Sequence, residues 1–183
     1  MRNQVSRFEC EPLEPRIVLA GVTVITHGQT LDSQFPAWIT GMAAAIEDRN
    51  GGAVIQADIR LREVGGTIQV EVDSDSTPDD LRRSSDFVIK VDWSDLANLG
   101  DLLGGPLLGT TGSSTVATSV LSGLDARGAM LGRPLLELPF HLIGHSRGAS
   151  VSLELARAMG LRGVWVDQIS TLDPHPSAWL GDP

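Results

Sequence analysis

The chain has a single cysteine, Cys10, in 183 residues. That excludes an intramolecular disulfide and leaves the redox compartment unread. No apolar run reaches the roughly 20 residues that a helix needs to cross a bilayer. Basic residues are scarce beside acidic ones: 14 Lys and Arg stand against 23 Asp and Glu, for a net charge of −9. A surface of that sign argues against nucleic acid or an anionic membrane as partner. It leaves the substrate open. No repeat of solenoid or propeller length is present. The acidic stretch at 73–80 lacks the sixth-position glycine and twelfth-position glutamate of an EF-hand loop, so no metal site is expected there. Thr77 and Pro78 instead read as the cap and first residue of a short helix.

Hydrophobic content of 42% and charged content of 20% fit one globular domain with a sizeable core. Residues 1–20 form a separate leader. They begin basic, but Glu9, Glu11 and Glu14 interrupt any apolar stretch, so this is not an ordinary signal peptide. The run Leu13-Glu14-Pro15-Arg16-Ile17-Val18-Leu19 resembles the LEPR-x-L-L segment near the N-termini of large exported bacterial proteins, with Val18 in the first leucine position. That resemblance implies export or a cell-surface place, and a larger parent protein. The other reading is a disordered leader on a cytoplasmic protein.

Residues 21–183 read as strands alternating with helices. The β-branched run 21–26 predicts a buried strand that ends in His27-Gly28-Gln29. Residues 32–48 predict a helix, with Asp32 or Ser33 as cap, Pro36 in its first turn and Asn50-Gly51-Gly52 as its stop. Residues 53–59 and 66–72 predict two strands in a hairpin. Residues 86–93 predict a strand, 96–112 a Leu/Gly-rich loop that could line an acyl pocket, and 114–130 a helix ending at Gly132. Further strands are expected at 136–143 and 164–171. A helix is expected at 149–159 with Gly160 as its stop.

The densest chemistry lies at Gly144-His145-Ser146-Arg147-Gly148. Strand, G-x-S-x-G, helix is the nucleophile-elbow pattern. A serine on such a turn is held in a strained backbone conformation with its hydroxyl above the sheet. Gly144 and Gly148 lack Cβ atoms, so strand and helix can cross closely. The backbone N–H of Arg147 opens the helix and can stabilise negative charge on a substrate oxygen. A second N–H of that kind comes from a loop after an earlier strand. His27-Gly28-Gln29 supplies it, with Gln29 as donor and Gly28 letting the backbone turn in. Asp173, just past the end of the 164–171 strand and followed by Pro174, stands where an acid can sit.

These segments together resemble the pancreatic-lipase branch of the α/β-hydrolases. The carriers are His27-Gly28, Val91-Asp92-Trp93, His141-Leu142-Ile143-Gly144-His145-Ser146 and Ile169-Ser170-Thr171-Leu172-Asp173-Pro174, in that order, over residues 21–176. The resemblance implies an α/β fold with a mostly parallel sheet and helices on both faces. It implies Ser146 as nucleophile, Asp173 as triad acid, and the N–H groups of Gln29 and Arg147 as the oxyanion hole. No cofactor is implied. The hairpin is extra to the pattern. Arg147 replaces a usually apolar residue, and its side chain could meet a substrate carboxylate or be solvated. The family's catalytic histidine lies well downstream of the acid, whereas only ten residues follow Asp173 here. His145 should point away from Ser146, His141 belongs to the core and His27 to its turn. His175 is a weak candidate base, because acid and base normally come from separate loops. The expectation is a partial domain, truncated before its last strands, with the final strand an uncovered edge.

Three functions follow. One is a serine hydrolase acting on a small-molecule or lipid carboxylic ester. Another is a catalytically incomplete, hydrolase-like binding module of a larger exported protein. The third is a thioesterase or acyltransferase on the same elbow.

Overall fold

A computed structural model describes residues 21–30, 34–52, 54–73, 86–97, 111–176 and 182. The leader, the caps at Asp32 and Ser33, the acidic residues after Asp73 with their helix start, and residues 98–110 of the Leu/Gly-rich loop lie outside these.

Strand β1 (Val22–Thr26) is followed by helix α1 (Ala37–Arg49). The helix starts one residue after Pro36, which occupies the cap position rather than the first turn. Proline's fixed φ and missing N–H suit it to a helix start. Gly51 and Gly52, both at positive φ, turn the chain out of α1. β2 (Val54–Val64) and β3 (Thr67–Asp73) then form the expected antiparallel hairpin. Its turn is Gly65-Gly66, with φ of 60° and 78°. Two left-handed residues in a two-residue loop match the twist of the strands they join. β2 is longer than the sequence suggested, because its charged end, Arg60 to Glu63, stays paired with β3.

β4 (Asp86–Asp92) leads into the short helix α2 (Ser94–Ala97). Helix α3 (Ser113–Leu131) ends at Gly132 in the left-handed conformation, as its sequence predicts. The expected strand at 136–143 begins only at Phe140. Leu135–Glu137 instead forms a 3-10 turn between Pro134 and Pro139. β5 (Phe140–His145) runs into helix α4 (Gly148–Leu161). Gly160 does not stop that helix; the reversal comes at Gly163, with φ of 76°. β6 (Gln168–Leu172) is shorter than the expected 164–171, and Trp165 before it is 83% exposed.

The six strands form one sheet in the order β3-β2-β4-β1-β5-β6. All neighbours are parallel except the β2–β3 pair. The hairpin is therefore an extension of the sheet on its far side, not an appendage. Helices cover both faces. Ile25, Val88 and Ile143 pack with Ile39 and Ala43 of α1. Their sequence neighbours Val24, Ile89 and Leu142 belong to the larger core with α3 and α4. That alternation is the period of two expected of strands covered on both sides. Each fully buried Val, Leu or Ile side chain among them contributes about 1.5–3 kcal/mol over leaving it exposed. Among the described residues β6 is the edge strand on its side of the sheet, and its residues are mostly half-buried or exposed.

Candidate active site

Five parallel strands end at one edge of the sheet. The chain leaves β1 towards the hairpin side and leaves β5 towards the opposite side. In open α/β sheets a ligand site is expected where connections diverge in this way, at the carboxyl ends of the strands. His27-Gly28 and Ser146 flank that point.

Ser146 occupies the turn between β5 and α4 with φ of 53°. Non-glycine residues rarely adopt this region, and holding one there costs about 1–3 kcal/mol. The surroundings fix it. Its N–H donates to the Leu172 carbonyl at 2.9 Å, and its carbonyl accepts from the Ala149 N–H at 3.0 Å. The glycines are steric necessities. A Cβ on Gly144 would overlap the carbonyl of Gly148, and one on Gly148 would overlap the carbonyl of His27. A Cβ on Gly28 would lie 2.5 Å from Ser146 Cβ and 2.8 Å from Ser146 Oγ. The His-Gly loop is thus pressed against the serine side chain itself.

Trp93 holds that loop. Its indole N–H donates to the His27 carbonyl at 2.9 Å and to Thr26 Oγ1 at 3.1 Å. Its backbone N–H donates to His27 Nε2 at 3.2 Å, and the two rings stack at 5.3 Å. With Nε2 accepting, the proton sits on Nδ1, which donates to the Gly28 carbonyl at 2.7 Å. His27 is therefore a neutral, fully engaged ring. Burial pushes its pKa down to about 4, against smaller raising effects from the Gly28 carbonyl and Asp92. Asp92 itself is buried and accepts from the N–H and hydroxyl of Ser94 and from Arg62, which fixes α2 at the strand end. The roles of Asp92 and Trp93 were not apparent from sequence, although both belong to the quoted V-D-W triplet.

Arg147 overturns both sequence-based expectations for its side chain. It is neither solvated nor open to a substrate carboxylate, because it is 0% exposed. Its Nε donates to Asp182 Oδ2 at 2.6 Å and its Nη2 to Asp182 Oδ1 at 3.2 Å. Nη2 also donates to the Thr111 carbonyl at 2.7 Å, and the guanidinium lies over the Trp93 ring at 5.5 Å. No sequence motif marks Asp182. Among the described residues, the backbone N–H groups of Gln29 and Arg147 have no acceptor.

Asp173 follows β6 directly. His145 pairs in register with Leu172, so Ser146 and Asp173 leave the sheet side by side. Asp173 also has positive φ, 44°, and its carboxylate is 78% exposed. His175 Nδ1 lies 3.0 Å from the Asp173 carbonyl and 3.7 Å from its Oδ1. His141 Nε2 meets Ser170 Oγ at 2.9 Å, and burial lowers its pKa. His145 packs edge-on against Trp38 of α1 at 5.5 Å. No histidine hydrogen-bonds Ser146 Oγ among the described residues. No cluster of His, Cys, Asp or Glu there is arranged to hold a metal, and no described helix is long and apolar enough to cross a membrane.

The fold is one already seen. A Listeria innocua gene product of known structure aligns with 81% of this chain and 48% of its own, with a TM-score of 0.51 and 9% identity. A Lactobacillus plantarum WCFS1 protein, named as a candidate cell surface hydrolase, aligns with 86% of this chain and 54% of its own, with a TM-score of 0.49 and 13% identity. The chain spans about half the length of these solved structures. At such identities the first likeness establishes a shared α/β fold and nothing finer. No family model matches the chain, and no curated protein matches it.

Proposed function

We propose that this protein is a serine hydrolase of carboxylic esters, with Ser146 as nucleophile. One observation carries the reading. A non-glycine residue, a serine, is held at φ of 53° on a strand-to-helix turn, with the His-Gly loop so close that any side chain on Gly28 would strike its Oγ. Strain of this kind persists where the surroundings over-determine it, and its presence at a serine supports a functional role for that hydroxyl.

In this reading Ser146 Oγ attacks the ester carbonyl carbon and its proton passes to a histidine. The carbonyl oxygen becomes the oxyanion and accepts from the N–H groups of Gln29 and Arg147, which have no other acceptor among the described residues. Each aligned donor lowers the barrier by about 2.7–4 kcal/mol. Collapse breaks the bond to the alcohol oxygen, which takes the proton from the histidine. Water then attacks the acyl-enzyme by the same route and frees the acid. Asp173 orients the histidine and stabilises its charged form.

His27 does not fit as the base, because both its ring nitrogens are engaged. His175 presents Nδ1 towards Asp173, which is half of the required geometry, and lacks a bond to Ser146. Either the exposed turn after β6 carries Nε2 of His175 to Oγ, or a histidine from outside this sequence completes the triad. The unmet bond favours a second reading, a hydrolase-like module that binds without turnover. The LEPR-like segment supports an exported or cell-surface place for either.

The test is hydrolysis of p-nitrophenyl esters and the matching thioesters by the full-length protein, beside Ser146→Ala and His175→Ala. Ester turnover that Ser146→Ala abolishes supports the reading, and preference for the thioester moves it to thioesterase chemistry. Loss with His175→Ala supports that base, and unchanged turnover excludes it. A folded protein with no turnover of either substrate supports the binding module.

A further inference from the structure

Arg147 has two parts in different places. Its backbone N–H has no acceptor among the described residues, and its guanidinium is buried. Resting on the serine hydrolase reading, we infer that the buried Arg147–Asp182 pair is a positioning device for the oxyanion site, joined through Trp93 to the opposite loop.

The geometry forms a continuous chain of contacts. Asp182 accepts Arg147 through Nε and Nη2 and also accepts the N–H of Ser113, the first residue of α3, at 3.2 Å. One carboxylate therefore ties the first turns of α3 and α4 together. It lies where both helix N-termini favour negative charge. Neither helix has a side-chain cap of its own. The far side of the guanidinium rests on Trp93, whose indole N–H holds the His27 carbonyl. The carbonyl of His27 is also what crowds Gly148. Asp182, Arg147, Trp93 and His27 thus connect the loop of one N–H donor to the residue of the other. A fork-shaped guanidinium bonded at Nε and Nη2 restrains the Arg147 Cα and with it the backbone N–H of that residue. An apolar residue at 147 would fill the space without that directional hold. Catalytic donors need placement within fractions of an ångström, which explains why a buried charge pair is used where packing alone would suffice for folding.

The test uses full-length protein and three variants: Asp182→Asn, Arg147→Lys, and the double Arg147→Met, Asp182→Leu. The double variant matters because apolar replacement of a buried ion pair is often neutral for stability. Fluorophosphonate labelling of Ser146 and ester kcat and KM are measured per folded molecule. Each variant should lose about ten- to a hundred-fold in labelling rate and kcat, part of the ~10²–10³-fold that losing one donor costs. KM should change little. The double variant should stay slow even where its Tm matches the wild type. Wild-type rates in variants with a lowered Tm would overturn the inference and leave the pair a structural tie. A folded wild type that is not labelled at Ser146 would overturn the hydrolase reading itself, and the inference with it.

Discussion

Gly148→Ala and Gly160→Ala place the same methyl group in the same helix, and the structure expects opposite results. At Gly160 a Cβ meets nothing within 4 Å. The change then acts through backbone entropy and helix propensity, stabilising by about 0.4–1 kcal/mol. At Gly148 the added Cβ overlaps the His27 carbonyl oxygen and lies 2.8 Å from both His27 C and Thr26 O. These are backbone atoms at the end of the central strand β1, so no rotamer change relieves the clash. Reaching ordinary contact at about 3.5–4.0 Å requires a separation of roughly 1 Å between α4 and the His-Gly loop. Overpacking of this kind costs about 1–3 kcal/mol. At about 2–4 °C per kcal/mol for a domain of this size, Gly148→Ala should lower Tm by about 2–12 °C, and Gly160→Ala should raise it by about 1–4 °C. The rate should separate them further. A displacement of about 1 Å between the elbow and its facing loop costs on the order of 10² in turnover, whereas Gly160→Ala should leave turnover intact. Differential scanning calorimetry and ester kinetics on the two purified variants decide it. Equal Tm shifts would refute the claim that the elbow glycines are there for close approach.

Two further outcomes rest on the His-Gly loop. His27 is neutral in the folded protein down to about pH 4, whereas the unfolded chain protonates near 6.5. Between those values the unfolded state binds more protons. Stability should therefore fall as pH drops from 6.5 towards 4, by up to about 3 kcal/mol, and His27→Gln should flatten that slope in urea melts. Trp93→Phe removes the indole donor to His27 and Thr26 while keeping the buried ring. It should destabilise by about 1–3 kcal/mol through the carbonyl left unpaired, read as a lower urea midpoint at constant slope.

Much of this arrangement was legible in the sequence because it is local. The Gly-ended link announced a hairpin, though not that its turn is only Gly65-Gly66, and Gly132 announced a helix end. The G-x-S-x-G spacing announced a backbone crossing that only glycine permits. Signals of composition misled where tertiary contacts took over. The strand expected at 136–143 starts late, because Pro134 and Pro139 flank a 3-10 turn at Leu135–Glu137. Val164, Trp165 and Val166 look like a buried strand, yet β6 begins only after Asp167. There the Asp167 carboxylate and N–H pair with the backbone of Phe140. Arg147 was illegible for a different reason. An arginine after the elbow serine reads as a surface or substrate-binding group, and its partner lies 35 residues away with no motif around it. Burial of a charge is decided by its counter-charge, and Asp182 gave no sign in one dimension.

The most direct measurement is the mass of the active-site peptide after reaction of the folded, full-length protein with a fluorophosphonate. A serine hydrolase gives one phosphonylated site, on Ser146, which disappears in Ser146→Ala and after heat denaturation. An unmodified Ser146 in folded protein, or labelling that persists in Ser146→Ala, would contradict the assignment of this elbow as a nucleophile.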